Sequence, residues 1–127
     1  MTQEEKELLL KDLSARLPYG VIVSPIDCGK AKLIGFKDGY PILFDLVSQK
    51  EYDKPWEIEY IKPYLRPMSS MIEEEKEEYI KERDKDKSAN MYHATYHSID
   101  WLNKHHFDYR GLIPMGLALE AKEGMYA

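Results

Sequence analysis

The sequence predicts an α+β domain: an N-terminal helix, a small antiparallel sheet of three to four strands able to curl towards a barrel, then C-terminal helices and a packed tail. Three observations carry this. Residues 2–18, "TQEEKELLLKDLSARLP", repeat leucine at helical spacing. Residues 20–62 hold short runs of β-branched and aromatic residues split by turn formers. Residues 73–87 form one continuous charged stretch, the pattern of a solvated helix.

In the first helix, Thr2 stands three residues before Glu5, the capping-box spacing in which each side chain bonds the other's backbone N–H. Leu9, Leu10, Leu13 and Leu17 mark its packing face, and Pro18 with Gly20 stops it. The next runs, "YGVIVSPID", "KAKLIGF" and "YPILFDL", read as strands. Between the last two lies Asp38-Gly39, the pair that best tolerates the positive φ angles of a tight hairpin turn. Pro41 lacks an N–H for a strand ladder, so an edge is expected there, open to a second copy at residues 40–42. The alternation in "WEIEYI" suggests a fourth strand, and "KPYLRPMSS" reads as a rigid strap, since each proline extends the residue before it.

A second helix is expected from Ser69 or Ser70, with Ser70 and Glu73 at capping-box spacing and only Ile72, Tyr79 and Ile80 as an apolar stripe. Ser98 is placed to cap a third, "IDWLNKHH", anchored by Trp101 and Leu102. In the tail, Gly111, Pro114 and Gly116 break regular structure while Leu112, Ile113, Leu117 and Leu119 seek burial. The boundaries are thus a single domain over 1–127: helix to 18, sheet over 20–62, helical part and tail over 63–127.

At 127 residues the chain can bury one core without staples. Its one cysteine, Cys28, cannot close an internal disulfide, which suits a reducing, cytoplasmic compartment. The acidic start "MTQEEKELLL" lacks the features of a signal peptide, and no membrane partner is expected. The net charge of −5 argues against broad capture of nucleic acid. Residues 73–87 hold eight acids and five bases, whereas residues 21–67 hold seven of each and are neutral.

All four histidines fall in "MYHATYHSIDWLNKHH". His93 and His97, four apart on a helix, can share a metal ion, but Ala94 stands where a zinc protease needs its glutamate. The architectural reading, rings part-buried and bonding backbone groups, is preferred, and no cofactor or catalytic residue is assigned. No phosphate-binding glycine loop is present. Arg66 in "YLRP" and Arg110 in "DYRG" sit in apolar, rigid company. Each reads first as an internal clamp, Arg110 to Asp100 or Asp108, and second as a partner contact.

The phrases "IEYIKPYLRPMSSM", "SIDWLNKHHFDYRGLIPMGLALEAKEGMY" and the opening "MTQEEKELLLKDLSARLPYGV" resemble small proteins of bacteriophages and prophages of gut bacteria. The resemblance covers most of the chain and brings no catalytic residues with it. What it implies is a setting, the interior of an infected or lysogenic bacterial cell. The leading expectation is therefore a non-enzymatic binding protein of a mobile element that occupies a host protein or small ligand, with counter-defence as its use. Its expected contact residues are Tyr64, Arg66, Trp101, His106, Asp108 and Arg110. Two alternatives stand beside it: a small metal- or nucleotide-dependent enzyme using His93 and His97, and a nucleic-acid binder using Lys30, Lys32 and Lys37 beside the sheet tyrosines.

Overall fold

A computed structural model describes residues 1–26, 29–89 and 96–126, the side chains of 87–89 and 96 excepted. The chain folds as α+β. Helix α1 (Gln3–Arg16) starts on the expected capping box, with Glu5 N–H on Thr2 Oγ1 at 3.1 Å and Thr2 N–H on Glu5 Oε1 at 2.9 Å. A 3₁₀ turn over Leu17–Tyr19 follows, and Gly20 ends it in the left-handed conformation.

The face α1 buries is not the leucine face alone. Its fully enclosed residues are Leu9, Asp12, Leu13 and Arg16, the i, i+3, i+4, i+7 stripe of a packed helix. Leu10 and Leu17 are only partly covered. Two of the four are charged, and they pair: Arg16 Nε donates to Asp12 Oδ2 at 3.0 Å. Arg16 Nη2 donates to the Phe107 carbonyl at 2.6 Å, and Arg110 Nη1 to Asp12 Oδ1 at 2.6 Å.

The sheet holds six strands in the order β4-β3-β2-β1-β5-β6. They are β1 (Ile22–Pro25), β2 (Ala31–Lys37), β3 (Tyr40–Asp45), β4 (Lys50–Glu51), β5 (Ile61–Leu65) and β6 (Leu119–Glu120). All neighbours run antiparallel except β5 and β6, which are parallel. The sheet is thus open, larger than expected and not wholly antiparallel. The hairpin at Asp38-Gly39 forms with φ of 53° and 84°, as the residue pair demands.

Three expectations are corrected. First, Pro41 is no edge: its carbonyl accepts the Trp56 N–H at 2.8 Å, and Leu43 accepts that of Tyr52 at 3.0 Å. Residues 52–56 thus line that flank of β3, the Tyr52 and Trp56 rings meeting edge-on at 5.2 Å. Second, "WEIEYI" does not form the extra strand. Ile58–Tyr60 is a 3₁₀ turn, and the strand comes after it, through the proline-bearing segment read as a strap. Pro63 is tolerated because bonded pairs alternate along an antiparallel ladder. With Ile26 N–H on Tyr60 O, Pro63 falls opposite Val23 at an unbonded position. Third, the tail contributes β6, so the whole stretch 66–118 is the crossover that a parallel pair requires.

A bulge between Leu33 and Gly35 gives β2 one extra residue, Ile34. Leu33 and, beyond the bulge, Phe36 consequently both face the core. That core joins Leu9 and Leu13 to Val21, Val23, Ala31, Leu43, Ile61 and Leu65, closed by Leu112, Leu117 and Ala118. Full burial of each such leucine contributes roughly 1.5–3 kcal/mol.

Helix α2 (Glu73–Ala89) and helix α3 (Tyr96–Lys104) pack beside one another. The serines expected to cap them serve otherwise. Ser70 Oγ bonds the Pro67 carbonyl in a 3₁₀ turn, and it is Glu75 that takes the Ile72 N–H at α2's start. Ser98 lies within α3 and donates its hydroxyl to Asp86 of α2 at 2.6 Å. Asp86 also accepts the His97 and Ser98 N–H groups, so the neighbour helix satisfies N–H groups of α3's first turn. Trp101 and Leu102 are buried anchors as expected, in a second cluster with Met71 and Phe107. Ile72 and Ile80 of the exposed helix face stay in solvent.

Burial by itself raises the Asp86 pKa, but the hydrogen bonds from Ser98 and His97 outweigh it and hold the carboxyl below an ordinary aspartate. A depressed folded pKa gives stability that is complete above the unfolded value and is lost as pH falls. The stability difference between wild type and Asp86→Ala, from urea unfolding at stepped pH, is therefore full above about pH 4 and shrinks below it. Asp12→Ala strands Arg16 without its counter-charge and lowers unfolding free energy by about 3–5 kcal/mol. Glu59→Ala, which breaks only the half-exposed pair with Lys6, costs less than about 1 kcal/mol in the same assay.

Candidate binding groove

Helix α3 ends in a Schellman pattern: His106 N–H returns to Asn103 O at 3.1 Å and Phe107 N–H to Leu102 O at 3.0 Å. The residue at the turn is His106, with φ of 61°, where glycine is usual. Left-handed backbone costs a side-chain-bearing residue roughly 1–2 kcal/mol, so the imidazole is kept there against local preference. Its ring is 4% exposed and stacks on Tyr126 at 3.8 Å and 19°. Among the described residues, Nδ1 has no hydrogen-bond partner.

Beside it runs Arg66, joined to this corner through backbone bonds from Arg66 N–H to His106 O and from Asp108 N–H to Arg66 O, both 2.8 Å. The Arg66 guanidinium lies 4.1 Å from the Phe107 ring and grips Glu75 with two 2.7 Å bonds. That grip, before any other influence, holds the Glu75 carboxyl below the usual glutamate range. The internal clamp expected of Arg66 is thus present. Tyr126 forms the facing wall. Its hydroxyl accepts the Ile22 N–H at 2.9 Å and donates to the Tyr64 carbonyl at 2.7 Å, standing in for the rung that would follow Val23–Pro63. Burial raises its pKa.

These residues border a two-part groove. The larger part, about 620 Å³, lies between Arg66, Ser70, Ile72 and Glu75 on one side and residues 120–126 on the other. The smaller, about 330 Å³, is bounded by Tyr19, Lys104 and His106. Arg66, His105 and Tyr126 line both. The His105 ring lies tilted against Trp101, centroids 4.3 Å apart, and burial lowers its pKa despite nearby Glu75 and Glu78.

Of the six contact residues expected from sequence, Arg66 and His106 meet in the groove, and Tyr64 touches it only through its carbonyl. Asp108 is buried and takes the Leu112 and Ile113 N–H groups at 2.8 and 2.9 Å. Arg110 clamps Asp12, not Asp100 or Asp108. Trp101 is a core residue whose edge reaches a separate surface cavity beside Glu78 and Lys81. Glu75, His105 and Tyr126 were missed. Only Tyr126 left no signal, since its partners lie 62 and 104 positions away.

The His93–His97 pair lies partly outside the described residues: His93 is not among them, and His97 is exposed on α3. Among the described residues no three histidine, cysteine, aspartate or glutamate side chains are grouped to hold a metal ion. No helix of the described residues is long and apolar enough to cross a membrane. Comparison with protein-family models, curated proteins and solved structures yields no match for this chain.

Burial, then the Arg16 charge, pushes the His106 pKa from 6.5 to about 4, opposed by a hydrogen bond to the Tyr19 backbone. The unfolded chain therefore binds a proton that the folded one refuses, and stability from this group rises with pH between about 4 and 6.5. Replacing it by asparagine, which tolerates the same backbone, removes that slope. Urea unfolding of wild type and His106→Asn across this interval measures the difference.

Proposed function

We propose that this chain is a non-enzymatic binding module of a bacteriophage or prophage, and that the Arg66–His106–Tyr126 groove seats its partner, a host protein segment or small ligand. The observation that carries this is that His106, which lines the groove at a left-handed turn where glycine is usual, has a buried Nδ1 with no partner among the described residues. With the ring neutral and its other nitrogen donating towards Tyr19, Nδ1 offers a lone pair. A partner's N–H or O–H satisfies it.

Charge refines the choice. Arg66 is already matched by Glu75, and Glu120 and Glu123 stand on the far wall. Such a groove favours a polar donor over a bare anion. The resemblance to phage proteins supports a host component as that donor, and occupying it blunts a defence system.

Ser70 is exposed on the rim of the larger cavity, so Ser70→Trp fills the groove with little effect on folding. Immobilised wild type retains a host-cell component that Ser70→Trp releases, and the purified component titrates against wild type by calorimetry. Equal retention by both proteins would sink the groove reading. Equal plating of the parent phage and a deletion strain on every defended host would sink the counter-defence role.

A further inference from the structure

The core covers one face of the sheet, and the other face is left outside it. Side chains alternate along a strand, so register assigns them. Ser24 opposes Lys62, Ile22 opposes Lys32 and Lys32 opposes Phe44, all on the face away from Leu33 and Val23. Tyr64 follows Lys62 by two positions, and Lys30 precedes Lys32 by two. Beyond the Ile34 bulge, Ile42 and then Lys37 with Tyr40 return to this same face. None of these residues belongs to the core cluster. Lys32, Lys37, Tyr40 and Lys62 are exposed, and Ile22, Phe44 and Tyr64 are half-buried.

The charges on this face are one-sided. Among the described residues, Lys30, Lys32, Lys37 and Lys62 have no carboxylate partner within 4 Å, and the one acid that register places on this face is Glu51, opposite Phe44. Two further acids of the sheet region are occupied: Glu59 holds Lys6, and Asp45 bonds Val47 and Ser48 in its own turn. A chain with net charge −5 therefore presents a basic sheet face. Two lysines spaced by two residues on one strand stand roughly 7 Å apart, and those two strands apart roughly 10 Å. Flat rings lie among them, and Lys30 Nζ is 6.0 Å from the centre of the Tyr64 ring.

We propose that this open face binds single-stranded nucleic acid, the lysines taking phosphates and Phe44 and Tyr64 taking bases. The combination of exposed cations with the half-buried rings of Phe44 and Tyr64 on one sheet face is the chemistry that single strands need and that an acidic protein partner does not. A second copy is disfavoured, because it would set four lysines against four. The inference is independent of the groove and goes beyond it.

Anisotropy of labelled twelve-nucleotide oligo-dT and oligo-U, with a hairpin duplex and inorganic polyphosphate as competitors, tests this on the full chain. With three phosphates engaged, raising salt from 50 to 200 mM weakens binding about 20-fold for a single strand. Lys32→Glu with Lys62→Glu weakens it at least tenfold, Tyr64→Leu several-fold, and Ser70→Trp leaves it unchanged. Lys30→Ala with Lys32→Ala gives the same direction of loss should the double charge reversal fail to fold. No anisotropy change with either strand at 50 mM salt overturns the proposal. So does polyphosphate competing equally while Tyr64→Leu binds like wild type, because then charge alone acts. Sedimentation showing a dimer that the lysine changes dissolve would make the face a self-interface and overturn it too.

Discussion

Asp12 holds two arginines at once, and much of the structure hangs on that arrangement. One oxygen takes Arg16 from the next helical turn, the other takes Arg110 from 98 residues away, and Arg16 goes on to the Phe107 carbonyl. Burying three charges carries a large desolvation cost, which only near-complete pairing offsets. The net gain in stability is accordingly small, and what the cluster supplies is position. It sets the end of α3 against α1, beside Tyr19, which bounds the smaller cavity. A greasy substitute could fill the volume. It would not dictate which carbonyl meets which helix.

From that anchor the groove is assembled out of distant pieces. Arg66 N–H and O bridge to the 106–108 corner, so β5 leads directly into the site. The 66–118 crossover returns to the sheet as β6, next to β5, and the turn after it becomes the groove's outer wall. Tyr126 then ties that wall to β1 and β5 by entering a gap in their ladder. Asp86 performs the equivalent task for the helices, holding α3's first turn from α2. In each case a side chain satisfies backbone groups of another element, which makes the elements mutually dependent.

This also explains what was legible in the sequence. Signals confined to a few residues were: the Thr2–Glu5 box, the Asp38-Gly39 turn, the Trp101–Leu102 anchors and the α+β class itself. Signals that depend on a partner elsewhere were not. Asp12 and Arg16 occupy helical core positions, yet a stripe read from leucines excludes charges by construction. Ser70 and Ser98 have the spacing of caps, but Glu75 takes the N–H at α2's start and Asp86, from another helix, takes N–H groups of α3's first turn. "WEIEYI" alternates better than "IKPYL", and period alone does not reveal that Pro63 lands on an unbonded rung. In the site, Arg66 was legible because prolines and apolar neighbours isolate it, and His106 because the histidines cluster. Tyr126 was not, since only tertiary folding brings it to Ile22.

Net charge is no guide to the charge of a single face. Residues 21–67 carry equal numbers of acids and bases, and as a linear segment they look electrostatically inert. A strand, however, sorts its residues to two faces, and neutrality of the string says nothing about neutrality of either side. Here Glu59 falls towards α1 and Asp45 closes its own turn, while Lys30, Lys32, Lys37 and Lys62 share the outer surface. The bulge at Ile34 enters this sorting twice. Were Ile34 paired in the ladder instead of bulged out of it, the side facing Leu33 would carry Gly35 and Lys37 and Phe36 would turn outwards, so the slip would bury a charge. Looping this one residue out of the ladder thus keeps Phe36 in the apolar core and Lys37 in solvent. The bulge that places Phe36 in the core is therefore also the feature that turns Lys37 to the basic face.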